Sequence, residues 1–90
     1  MSIAVYFHPE SFTSVQYDEC IKKLEAAGAG KPNGRLHHST FGSPESLMVY
    51  DVWESQETFD AFGQTLMPIL SAMEVDMGNP DVMPVHNVIL

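Results

Sequence analysis

Between Leu47 and Phe62 the chain reads LMVYDVWESQETFDAF, and its apolar period changes partway through. Residues 47–53 alternate and are rich in β-branched and aromatic types, the pattern of a strand. After Glu54, Ser55 is placed to cap a helix, Glu57 falls in its positive first turn, and Phe59, Phe62 and Leu66 recur at helical spacing. A strand therefore runs directly into a capped helix. Asp51 and Trp53 stand at the end of that otherwise apolar strand, and their placement needs a reason.

The rest of the chain fits around this junction. Residues 3–8, IAVYFH, form a short apolar first strand, and Pro9 then removes a ladder donor. Thr13 followed by Gln16 has capping-box spacing, and Tyr17, Ile21 and Leu24 make the stripe of a helix over 14–28 that stops at Gly28 and Gly30. RLHHSTF, 35–41, is a second strand, and GSPES after it has turn composition, so 35–53 reads as a hairpin. Pro68 is expected to kink the second helix or restart it as a short helix over roughly 69–75. GNPDVMP, 78–84, reads as loop and VHNVIL, 85–90, as the last strand. The order strand, helix, strand, strand, helix, strand predicts one ferredoxin-like α+β domain over 1–90, a four-stranded antiparallel sheet with both helices on one face.

Composition narrows the partners. Four Lys and Arg against twelve Asp and Glu give a formal charge of -8, which repels nucleic acid and anionic membrane. No apolar run is long enough to span a bilayer, and the lone cysteine, Cys20, forms no internal disulfide, so a cytoplasmic protein is expected. Cys20 lies beside Asp18 and Glu19, which do not activate a thiol. Met67, Met73, Met77 and Met83 crowd the last third, where flexible thioethers suit an adaptable lid or filler around Pro68.

Alternation divides each strand into two sets. Ile3, Val5 and Phe7 are set against Ala4, Tyr6 and His8, and Met48, Tyr50 and Val52 against Leu47, Val49, Asp51 and Trp53. An unpaired carboxylate in a two-layer core is costly, so Asp51 and Trp53 are expected to point away from the helices. For the second strand the choice between Leu36, His38 and Thr40 and the set Arg35, His37, Ser39 and Phe41 stays open, as does that between His86 and Asn87 on the last. The open face is too apolar for water, and a second copy packed on it by two-fold symmetry would enclose a pocket.

The βαββαβ order, the histidines after Leu36, the phrase VYDVWESQETFDAF and the closing PVHN at 84–87 together resemble the dimeric α+β barrel superfamily, close to its antibiotic-biosynthesis-monooxygenase type. The resemblance implies a homodimer and a small aromatic or apolar ligand in the barrel interior, and it permits a cofactor-free monooxygenase or an isomerase acting on a phenolic compound. Haem-degrading relatives carry an iron-ligating histidine on the second helix, and residues 56–75 contain none.

The candidate catalytic residues are His37, His38 and His86 as base, with Asp51 orienting the imidazole. Tyr6, His8, Trp53 and Asn87 are candidates for ligand contact. The competing reading is structural, with an Asp and a His satisfying one another's buried polar atoms. Neighbouring His37 and His38 point to opposite faces and do not share one ion easily, so no metal and no cofactor is expected.

Overall fold

The computed structural model, which describes residues 1–89, contains six elements in the predicted order: β1 (Ile3–Phe7), α1 (Ser14–Ala26), β2 (Arg35–Ser43), β3 (Ser46–Trp53), α2 (Gln56–Ala72) and β4 (Asp81–Pro84). The sheet order is β2-β3-β1-β4, and every neighbouring pair is antiparallel. Each helix therefore links two strands that flank a third, the interleaved crossover of the ferredoxin-like arrangement.

Local chemistry sets the helix ends. Thr13 and Gln16 form the capping box of α1, with Gln16 N–H donating to Thr13 Oγ1 at 3.2 Å and Thr13 N–H to Gln16 Oε1 at 2.9 Å. Ser55 and Thr58 do the same for α2. Both helices close in a Schellman pattern. Ala29 N–H donates to Leu24 and Gly28 N–H to Glu25, as Val75 N–H does to Leu70 and Glu74 N–H to Ser71. The left-handed residue is Gly28 in the first (φ 78°) but Glu74 in the second (φ 57°).

The core lies between sheet and helices, with Val5 and Trp53 at its centre and Leu24, Phe62 and Leu70 supplied from above. Here the first expectation is overturned. Leu47, Val49, Asp51 and Trp53 face the helices together with Ile3, Val5 and Phe7, while Ala4, Tyr6, Met48 and Tyr50 lie on the other face. Trp53 packs against Phe59 and Phe62 of α2 at ring-centroid distances of 5.7 and 5.1 Å. An unpaired Asp51 would be costly on this side, but the carboxylate has two partners, His38 and Trp53.

Strand β2 resolves its ambiguity in a way that neither alternating set allows. The register pairs Arg35 with Trp53 but His37 with Val52, so a bulge at Leu36 inserts one residue. Arg35 and His38 then share the helix-facing side, whereas His37 faces away with its ring 5.8 Å from Tyr50.

Two further expectations are corrected. Of the kink or restart expected at Pro68, the restart is absent: helix α2 runs through to Ala72, because the apolar stripe of Phe62, Leu66 and Leu70 continues across it and holds the last turns on the core. The last strand is Asp81–Pro84, not 85–90: β1 offers Ile3 to Tyr6 as partners, and Pro84 already lies opposite Ile3. Residues 85–89 run past the start of β1, tied there by Val85 N–H to Ser2 C=O at 3.0 Å. Leu90 lies outside the described residues.

Candidate functional site

The β2–β3 register sets His38 opposite Asp51, and Nδ1 of the imidazole lies 2.6 Å from Oδ1 of the carboxylate. Two residues along β3 on the same face, Trp53 donates its indole N–H to Asp51 Oδ2 at 3.3 Å. From above, α1 lowers Tyr17 so that its hydroxyl meets His38 Nε2 at 2.7 Å, with the two rings nearly parallel. A carboxylate only accepts, so Nδ1 donates to it; when the ring carries that one proton, Nε2 accepts from Tyr17 O–H. Tyr17 and His38 thus form a relay directed into Asp51, on which the Trp53 indole N–H converges from the other side.

Asp51 is only 4% exposed, and the carboxylate is held by two donors, which offsets the cost of removing it from water. The His38 side chain keeps 21% of its surface. Both border a cavity of about 50 Å³ between sheet and helices, whose remaining wall is mostly apolar and includes Phe7, Phe12 and Leu66. Arg35 also reaches it, its guanidinium carbon 5.9 Å from the centre of the Phe62 ring. Cys20 lines the same space, and burial pushes its thiol above the ordinary value by disfavouring the thiolate. The cavity is apolar, with one end that can accept or return a proton.

No protein-family model matches the sequence, and no curated protein matches it. Solved structures do match. A candidate antibiotic biosynthesis monooxygenase from Chloroflexus aurantiacus J-10-fl superimposes with a TM-score of 0.65, covering 98% of this chain and 97% of its own at 18% identity. This chain shares the fold of that protein. SnoaB, a cofactor-independent oxygenase from Streptomyces nogalater, shares it with a TM-score of 0.61 and 13% identity over 97% of this chain and 93% of that one. So does a monooxygenase from the gene ActVA-Orf6 of Streptomyces coelicolor, solved with the ligand nanaomycin D, with a TM-score of 0.57 and 20% identity over 99% of this chain and 90% of that one.

Within this fold the residues singled out in the sequence divide into three groups. His38, Asp51 and Trp53 come together at the cavity. His37 and Tyr6 lie on the opposite sheet face, His37 beside Ser39 and Tyr6 against Met48 and Phe41. His8 is exposed and pairs with Asp81 at 3.0 Å, while His86 and Asn87 are exposed beyond β4. Among the described residues, no group of three or more His, Cys, Asp or Glu is arranged to hold a metal ion.

Tyr17 and Arg35 were missed as site residues. Tyr17 sits in the apolar stripe of α1, and its one distinguishing signal is a hydroxyl among aliphatic neighbours, which needs a partner once buried. Arg35 carries no signal at all until the bulge turns it inward.

Proposed function

We propose that this protein is a homodimer that binds a small, largely apolar or aromatic molecule between its sheet and helices, with an acidic hydroxyl of that molecule presented to His38. The observation that carries this reading is the directed chain Tyr17–His38–Asp51 at the one polar end of an apolar cavity. Imidazole held by a carboxylate is oriented to take a proton, and the carboxylate stabilises the imidazolium that forms. Tyr17 O–H already donates to Nε2, so a ligand hydroxyl either displaces it or passes its proton through it. The ligand lies on the helix side of the sheet in this reading, not between two sheets.

A cofactor-independent monooxygenase is the second reading, favoured by the same base and by the likeness to SnoaB. A phenol that loses its proton to His38 becomes an electron-rich anion, which dioxygen oxidises. One oxygen atom enters the ring to give a quinone and the other leaves as water, and no other reductant is needed.

The dimer rests on the opposite face. Tyr6, Tyr50, Phe41 and Met83 lie there, and the last two are well exposed. A second copy seated on this face removes that apolar surface from water. The same reading places the protein in the cytoplasm, where a lone buried thiol stays reduced; among the described residues no helix is long and apolar enough to cross a membrane.

The test is native mass spectrometry of the freshly purified protein, followed by titration with 1-naphthol and by oxygen uptake in air without added metal. A dimer is expected, with naphthol affinity reduced at least about tenfold by His38→Ala and unchanged by His37→Ala on the other face. Equal effects of the two substitutions would remove His38 from the reading.

A further inference from the structure

Phe7, Leu66, Leu70 and Met77 each border two spaces at once. On one side is the cavity of about 50 Å³ that holds His38 and Tyr17, and on the other a groove of about 740 Å³ between α2 and the segment leading to β4. Three of these dividing side chains stand on regular elements. Met77 stands on a stretch that is neither helix nor strand.

That stretch is lightly held. Among the described residues, no main-chain hydrogen bond outside the sheet ties Asp76 through Pro80, and the local tether is Gly78 N–H to Asp76 Oδ1 at 2.8 Å. Met77 itself is half-buried, and an unbranched thioether adopts several shapes at little cost. Of the four dividing side chains it is the one that can leave.

The two volumes are complementary in what they lack. The inner cavity has the proton-accepting end, but its volume of about 50 Å³ is far below that of an ordinary ligand site. The groove has the volume of an ordinary ligand site, which runs to about 300–1,000 Å³, but its polar groups, Asp60, Gln64, Asp76 and Asn79, include no base held in a relay.

Gly63 supplies an independent observation. It lies within α2 and lines the groove, where glycine weakens a helix relative to alanine. Nothing stands within 4 Å of the position that a Cβ would take. Packing of the chain does not require a glycine there, and the space beside it opens into the groove.

We propose that cavity and groove are the two halves of a single binding site, that Met77 is the movable partition between them, and that Gly63 leaves room for the outer half of the ligand. The proposal rests on the His38 reading for the inner end of that site. Met77 then sets how long a molecule the site accepts.

Cys20 gives a readout that needs no ligand, because its thiol lines the inner cavity. In the full-length protein, alkylation by N-ethylmaleimide is expected to speed up at least about tenfold in Met77→Ala and to change less than about twofold in Met67→Ala, which alters the groove wall alone. Met77→Phe keeps the partition filled and is expected to slow the reaction, which separates opening of the partition from general loosening. Titration with 1-naphthol is expected to weaken at least about fivefold in Gly63→Leu. Unchanged alkylation in Met77→Ala overturns the partition. Faster alkylation with no naphthol binding by any variant keeps the partition and overturns the His38 reading. Naphthol binding that ignores both Gly63→Leu and Met77→Phe overturns the joined site and leaves the His38 reading standing.

Discussion

His38 and Asp51 face each other across β2 and β3 with Nδ1 and Oδ1 2.6 Å apart, on the side of the sheet that the helices cover. His38→Ala leaves a carboxylate at 4% exposure with the Trp53 indole as its remaining donor. The expected loss of stability is about 3 kcal/mol, and Asp51→Asn, which removes the charge but keeps the shape, is expected to cost less. Urea denaturation of the two single variants and the double variant should show a coupling of about 1–3 kcal/mol. Simple additivity would mean that the two side chains do not act as a pair.

Glu74 occupies the left-handed position that closes α2, with φ 57°, where Gly28 does the same for α1. A side chain there meets its own carbonyl, and glycine does not. Glu74→Gly is therefore expected to stabilise the protein by about 1 kcal/mol, read as a rise in the urea midpoint at unchanged slope.

Gly34 and Gly28 both have positive φ, yet they differ in what surrounds them. A Cβ on Gly34 would fall 2.6 Å from Cβ and Cγ2 of Thr58, a capping residue of α2, while one on Gly28 meets nothing within 4 Å. Gly28→Ala is expected to cost about 1 kcal/mol from backbone strain, and Gly34→Ala about 2–4 kcal/mol because the start of α2 must also move. Equal thermal midpoints for the two variants would show that Thr58 yields without cost.

Cys20 sets an alkaline limit. Burial raises its folded-state pKa above the unfolded value, so the folded chain holds the thiol proton more tightly. Stability is unaffected below the unfolded thiol value and falls as pH rises from there toward the folded one. Urea midpoints followed from about pH 7 to 10 should therefore decline less in Cys20→Ala than in the parent chain.

Much of the fold is legible in single residues. The Thr13–Gln16 capping box, the Ser55 cap, the hairpin and the βαββαβ order follow from short-range chemistry that a sequence displays directly. The site is less legible because its partners are distant in the chain. Asp51 reads as a liability until His38, thirteen residues away, and Tyr17 on another element are seen beneath the helices. Length misleads at the end of the chain, where VHNVIL has better strand composition than DVMP, but the partner strand β1 has no residues left for it. Pro68 misleads in the opposite direction, since the burial of Leu70 outweighs one missing helix bond.

The extra residue at Leu36 reaches furthest of all. In a strand of period two, residues three apart fall on opposite faces, so it is the inserted position that lets Arg35 share a side with His38, whose own partner Asp51 is set by the hairpin register. Deleting Leu36 would remove the bulge and leave Arg35 opposite Trp53 and His38 opposite Asp51, whereas holding Leu36 in a regular ladder would turn Arg35 away from the cavity. Two homologues that keep the His38–Asp51 pair but differ by one residue just before it would therefore differ in whether an arginine reaches the cavity, and an alignment that matches letters would not reveal it.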